Sequence, residues 1–423
     1  MRNAGPASLT LLPGEGHPAW ASLRDLAFLL GEDAASLAGR LAPATAAAIG
    51  DLVRGMNCYY SNLIEGHDTR TVDIERALHA DFAPDPKRRD LQREAAAHIA
   101  VQAAIDTDAI DAAQPLSALA RDIHRQFYER LPDSLRWTEE LGSGRRVDVV
   151  PGAWREGDVT VGVHVAPPAD ELPTWMARFD DCAPERFGRA ERLVAIATAH
   201  HRLLWIHPFA DGNGRVARLL SHALLRRAGV GSPLWSVARG LARNVAAYRA
   251  FLARADDPPQ GLLDGRGILS DGRLADFCRF FLAACIDQVR FMRALLSPEA
   301  LAGRVREFVA AEAAGGRLDG RVHPLLEQAA LFGVVPRGDV PGLLGVSDRQ
   351  ARRLVQPLVA RGLLTGAKDA PLRVAFPLGV SEGMFPRLWA PAGVADVATL
   401  PPDVADALQP PRAPSLSFER ATG

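Results

Sequence analysis

The stretch that decides the reading is His207-Pro208-Phe209-Ala210-Asp211-Gly212-Asn213-Gly214-Arg215-Val216-Ala217-Arg218. It lies between two helical patterns, one over 186–206 and the next from 214 to 227. A Gly-Asn-Gly turn feeding a helix leaves unpaired backbone N–H groups aimed at one spot, and the helix dipole adds positive partial charge there. Such a turn binds phosphate. The side chains suit that ligand. Asp211 is the only carboxylate of the loop and fits Mg²⁺, which takes few carboxylates beside nucleotide phosphates. Arg215 and Arg218 are three apart, share a helix face and can grip a polyphosphate together. His207 can accept a proton from an attacking hydroxyl. Pro208 and Phe209 are expected to fix the loop and pack its apolar side inward. Singly, each residue has an ordinary structural reading, since a lone histidine or a lone Gly-x-Gly is common. The whole string carries the chemistry.

Outward from the loop, helical periodicity dominates, with helices expected over 43–65, 71–80, 87–106, 116–131, 172–181, 239–255, 272–296 and 298–314. The helix over 43–65 stops at Gly66, a favoured residue just past a helix end. Between 142 and 168 the period becomes strand-like. RRVDVV, the turn PGAWREGD and VTVGVHV read as one hairpin. After about Gly320 the helices shorten (322–332, 340–344, 347–360), and two apolar runs, GLLTG and LRVAF, follow as a candidate β-wing. That order resembles a winged helix, with Ser347 capping the candidate recognition helix. Residues 1–42 read as a loose arm containing one amphipathic piece, WASLRDLAFLL. Residues 390–423 are Pro-rich and polar, as in a disordered tail. The fold class is mainly α: a helical bundle with a β-hairpin flap, plus a small C-terminal winged-helix-like domain at 301–389.

Composition narrows the function classes. At 423 residues two or three domains are expected. A net charge of −1 excludes a global field that would draw the chain onto nucleic acid or a membrane surface. Only Lys87 and Lys368 are lysine among the 49 basic residues, a bias typical of a GC-rich genome, so an isolated arginine is weak functional evidence. Cys58, Cys182, Cys278 and Cys285 form no CxxC pair and read as buried reduced thiols. The N-terminus lacks the apolar run of a signal peptide, and no stretch approaches the ~18 apolar residues of a membrane span. A soluble cytoplasmic protein without a membrane partner is expected.

The loop matches H-[PF]-F-x-[DE]-G-N-G-R-x-x-R at every specified position, and the chain thereby resembles the Fic family. The likeness reaches upstream. PGAWREGDVTVGVHVAPPADELPTWM is similar to the family's flap and following helix, with Trp154 where Tyr is more usual, and His200 and Ile206 sit where the preceding helix carries them. The likeness covers a core of about 116–256 within a catalytic region at 43–300. The resemblance implies a Fic-type helical bundle and transfer of AMP from ATP, with Mg²⁺, to a Ser, Thr or Tyr hydroxyl of a target protein or of the enzyme itself. It makes His207 the general base. The amides of Gly212, Asn213 and Gly214, with the Asn213 side chain, form an anion hole. Asp211 holds Mg²⁺, Arg215 the β-phosphate and Arg218 the γ-phosphate. The strand of Val159, Thr160, Val161 and Gly162 docks the target by β-augmentation. A relative that phosphorylates its target has Lys in place of the second glycine, whereas this chain keeps Gly214.

Upstream, Ser61-Asn62-Leu63-Ile64-Glu65-Gly66 matches the family's inhibitory pattern [ST]-x-x-x-E-[GN]. Ser61 and Glu65 are one helical turn apart and share a face. By the resemblance, Glu65 pairs with Arg218 and takes the γ-phosphate position, so that ATP binds unproductively.

Other motifs fall away. Gly379-Val380-Ser381-Glu382-Gly383 satisfies G-x-S-x-G, but a hydrolase triad needs a later histidine and the last one is His323. Neither a Walker A loop nor a Rossmann fingerprint is present. His200, His201 and His207 do not form HExxH, so a structural metal site is not expected. Two alternatives remain open. One is a winged-helix DNA-binding regulator acting through Arg349, Arg352 and Arg353, in which the Fic core is secondary. The other is a Fic enzyme that removes AMP or transfers another phosphate-containing group. The C-terminal module could equally dock proteins or form a homodimer.

Overall fold

A computed structural model describes residues 5–67, 69–139, 144–390 and 400–411. Helices α1 (Trp20–Ala38), α2 (Pro43–Ile64), α3 (Thr71–Leu78), α4 (Pro86–Asp106) and α5 (Leu116–Glu129) come first. The loose arm expected at 1–42 is, from Trp20 onward, a 19-residue helix. Leu23, Leu26, Ala27, Leu30, Ala34 and Leu37 recur at helical spacing and are buried. Asp33 interrupts that stripe in sequence, which hides its length. In the fold its carboxylate is buried against Arg290, 2.5 Å away, and Arg293.

Strands β1 (Trp137–Glu139) and β2 (Arg146–Asp148) pair antiparallel, as do β3 (Thr160–Val161) and β4 (His164–Val165). The single hairpin expected across PGAWREGD is therefore two hairpins. Each half of that pattern pairs locally, and the segment between them turns inward. Gly152 supplies a left-handed φ of 74°, and a Cβ there would stand 3.0 Å from the Arg125 side chain. Arg155, 5% exposed, anchors the segment below.

Helices α6 (Leu172–Asp180), α7 (Arg189–Ile206) and α8 (Asn213–Arg227) follow, then α9 (Val237–Arg243) and α10 (Val245–Ala255). The helix expected over 239–255 is broken at Asn244, whose side-chain amide donates to the Gly240 carbonyl at 2.9 Å. Helix α11 (Asp271–Leu295) is apolar on nearly every side. Phe277, Phe280, Phe281, Leu282 and Ile286 are fully buried, and α1, α7, α9 and α10 pack around it. A helix hydrophobic all round belongs at the centre of a core.

Helix α12 (Pro298–Ala314) leads to α13 (His323–Phe332), β5 (Val334–Val335), α14 (Val340–Leu344), α15 (Asp348–Ala360), β6 (Leu364–Thr365) and β7 (Leu372–Val374). The sheet order is β5-β7-β6, so the wing strand β7 is central and a third strand, unforeseen in the sequence, closes its other side. Ser347 stands at the N-cap of α15, as expected. Helix α16 (Leu378–Met384) contains the G-x-S-x-G string. Ser381 is buried, donating to the Leu378 carbonyl and accepting from the Trp389 indole, and has no role as a nucleophile. Part of the tail expected to be disordered is helix α17 (Pro402–Ala407), which buries Val404 against α11. Residues 391–399 and 412–423 lie outside the described residues. All four cysteines are free and buried.

Candidate active site

The loop after α7 is built by its own sequence. His207 takes a left-handed conformation (φ 50°, ψ 58°), and its N–H still reaches the Leu203 carbonyl at 2.9 Å. Pro208 disfavours the helical region at the residue before it, so α7 ends there. Asn213 then folds back. Its Oδ1 accepts from the Phe209 N–H at 3.0 Å, and its Nδ2 donates to the Phe209 carbonyl at 2.8 Å. The side chain expected to help an anion hole thus also staples the loop closed, using one of its two N–H donors. Gly212 has φ 80°, and a Cβ there would stand 2.9 Å from the Tyr128 hydroxyl. Only glycine meets both demands. No side chain caps α8, so its positive end opens at the loop.

Helix α5 is the floor. His124 stacks on Phe209 with centroids 4.1 Å apart, Phe127 lies under the Arg215 guanidinium, and the Tyr128 hydroxyl donates to Asp211 Oδ2 at 2.5 Å. From the flap side, the Arg155 backbone N–H donates to the Pro208 carbonyl and its Nε to the His207 carbonyl, each at 2.8 Å. Trp154 packs on Phe209 at 4.9 Å.

His207 is partly buried, and burial pushes its imidazole down to about 4. It is therefore neutral at pH 7. Nδ1 faces the Leu204 carbonyl at 3.3 Å, and a carbonyl can only accept, so Nδ1 carries the proton. Nε2 is the nitrogen left to accept one. His200 lies in the core below. Its ring nitrogens are taken by Ser221 Oγ (2.8 Å) and Tyr248 Oη (2.7 Å), and burial pushes it down to about 3.

The two motif arginines are both occupied. Arg218, 2% exposed, donates Nε to Ser61 Oγ at 2.9 Å and Nη2 to the Ser61 carbonyl at 3.3 Å. The same Nη2 pairs with Glu65 Oε1. Burial alone would raise the Glu65 carboxyl, but Arg218 outweighs it and holds the group below its ordinary value. Arg215 reaches Glu94 of α4 at 3.0 Å and Asp211 at 3.8 Å. His67, just past the end of α2, bridges to Glu94 at 3.2 Å. Gly214 faces this cluster. A Cβ on it would stand 2.4 Å from Glu65 Oε1 and 3.1 Å from Arg218 Nη1.

The fold thus gathers His207, Asp211, Gly212, Asn213, Gly214, Arg215, Arg218, Ser61 and Glu65 around one helix end. Of the flap residues, Thr160 and Val161 form β3, Gly162 makes the turn at φ 63°, and Val159 accepts from the Ala166 N–H at 3.2 Å. Val161, Val163 and Val165 are exposed along this hairpin, and His164 Nε2 donates to the Trp205 carbonyl at 2.7 Å, pinning it to α7. Sequence reasoning missed Glu94, His67, Tyr128, His124 and Arg155. The one usable signal was the four-residue spacing of His124 and Tyr128 on a single helix face.

Residues 115–225 match the family model described as the Fic/DOC family. The chain carries a Fic domain. The curated relatives match over a longer stretch. A protein adenylyltransferase Fic from Drosophila willistoni is 32% identical over 173 residues, which is 40% of this chain and 32% of that one. Another from Nematostella vectensis is 29% identical over 172 residues, 40% of this chain and 37% of that one. The chain spans about a third of the length of these relatives. Among solved structures, a Fic family protein from Desulfovibrio desulfuricans aligns over 86% of this chain and 98% of its own, at 21% identity and a TM-score of 0.48. A C. elegans Fic protein covers 65% and 72%, at 16% identity and a TM-score of 0.49.

Proposed function

We propose that the Fic domain transfers AMP from ATP to a Ser, Thr or Tyr hydroxyl of a protein, itself included, and that Glu65 holds it in check. One observation carries the reading: a neutral imidazole, a half-exposed carboxylate and two arginines converge on the uncapped N-terminus of α8, where Gly214 leaves room for phosphates. His207 Nε2 takes the hydroxyl proton. The hydroxyl oxygen forms a bond to the α-phosphorus while the bond from that phosphorus to the bridging oxygen breaks, and pyrophosphate leaves. The amides of Gly212, Asn213 and Gly214 face the developing phosphate charge. Arg215 grips the β-phosphate and Arg218, once released, the γ-phosphate. Asp211 would hold Mg²⁺, which supplies charge neutralisation of the phosphates when bound. A single hard carboxylate beside a phosphate site fits that ion. Among the described residues no group of three His, Cys, Asp or Glu side chains could hold a metal without phosphate oxygens.

The exposed valines of β3 and β4 suit an extended target segment added as a strand. Incubating the Glu65→Gly protein with ATP labelled at either end tests the reading. Label from the α-position appears on protein and label from the γ-position does not. Transfer of the γ-label would mean a phosphorylating enzyme instead. No helix of the described residues is long and apolar enough to cross a membrane.

For the winged-helix-like module, the favoured second activity is DNA docking. Arg349, Arg352 and Arg353 are exposed along α15 and form no ion pair among the described residues. A gel shift whose affinity falls steeply with salt, and is lost on replacing these arginines, is the expected result. Binding that ignores salt would point to a protein partner.

A further inference from the structure

We propose that Tyr128 is a positioning residue that presents Asp211 to the metal ion, an inference that rests on the assignment of Asp211 above. Tyr128 is 1% exposed on α5, while the Asp211 side chain is 46% exposed. The buried phenol therefore fixes a carboxylate that otherwise faces the open loop. Its hydroxyl donates to Asp211 Oδ2, and Arg215 Nη1 approaches the same oxygen. With both contacts on Oδ2, the geometry assigns Oδ1 to the cation. A carboxylate can only accept, so the phenol is the donor of this bond.

The same ring fills the space a side chain at Gly212 would need, so one residue sets both the carboxylate and the turn beside it. An exposed aspartate without this donor would rotate freely and lose that freedom again on binding metal. Partners that hold a metal-binding carboxylate from behind typically contribute 10- to 100-fold in metal affinity.

The experiment uses the full chain in the Glu65→Gly background, so that the inhibitory carboxylate does not compete. Mn²⁺ binding in the presence of saturating ADP, read by electron paramagnetic resonance, is measured for Tyr128→Phe, which keeps the ring and loses only the donor. Affinity for Mn²⁺ is expected to fall about 10- to 100-fold. The Mg²⁺ needed for half-maximal transfer should rise in step, the rate at saturating Mg²⁺ should recover, and the melting temperature should hold. Asp211→Asn separates the two levels of the argument. If that variant keeps Mn²⁺, the assignment of Asp211 fails. If it loses Mn²⁺ while Tyr128→Phe binds as the parent does, the role of Tyr128 alone is overturned. A rate lost in Tyr128→Phe that added Mg²⁺ does not restore would also overturn it.

Discussion

Glu65, just past the end of α2, pairs with Arg218 of α8, and its carboxylate stands at the N-terminus of α8 beside Gly214. The position is favourable twice over, because an anion gains from both the guanidinium and the helix dipole. A polyphosphate would gain from the same two features. The carboxylate and a phosphate would therefore compete for one place.

The first prediction follows from that competition. Glu65→Gly should raise auto-adenylylation at least about tenfold, the equivalent of about 1.4 kcal/mol in barrier height. Arg218→Ala also breaks the pair but removes the phosphate grip, so it should remain inactive. The double variant should behave as Arg218→Ala does. Label incorporation from α-labelled ATP reads all three, and a Glu65→Gly protein no faster than its parent would refute the brake.

A second prediction concerns the base. His207→Ala should lower transfer by about 10²–10⁴-fold while leaving ATP affinity nearly unchanged, because the imidazole acts on the hydroxyl rather than the phosphates. Equal loss of binding would make His207 structural.

The pH profile of the same group is distinctive. Its pKa is depressed to about 4, so the neutral, proton-accepting form persists well below the ordinary histidine value. The acid limb of kcat/KM should fall near pH 4, provided the fold survives there, and not near 6.5. An acid limb at 6.5 would place the titrating base elsewhere.

Acid stability should be poor for a related reason. His98 and His200 are buried and held down to about 3, and His124 to about 4, in each case chiefly by burial. Between the unfolded value near 6.5 and these folded values, the unfolded chain binds more protons than the native one. Stability therefore rises with pH in that window and falls on acidification. Denaturant melts at pH 7.5, 6 and 5 should show a progressive loss, and a flat series would contradict the buried neutral state.

Helix α1 offers a test of the core. Leu30 is fully buried against the α11 side of the fold. Leu30→Ala should destabilise the protein by about 2–5 kcal/mol in denaturant melts. A cost near zero would mean that α1 is the loose arm its sequence suggested.

The catalytic loop was legible in the sequence because its chemistry is local. A glycine turn before a helix, a carboxylate in the loop and arginines three apart are all statements about neighbours in the chain, and the fold keeps them together. Most helices were legible for the same reason, through periodicity. The pairing of Glu65 with Arg218 could be anticipated only through the family pattern, since no spacing along the chain joins residues 153 apart. What tertiary structure alone decided is everything that reaches the loop from elsewhere. Tyr128 and His124 beneath it, Glu94 and His67 against Arg215, and Arg155 on the His207 carbonyl come from distant segments, and apart from the four-residue spacing of His124 and Tyr128 nothing in their own sequence marks them. Asn213 shows the limit most plainly. Its place in the motif announced an anion-binding side chain and gave no sign that the same side chain satisfies the buried Phe209 amide and carbonyl, a demand that only the folded loop creates.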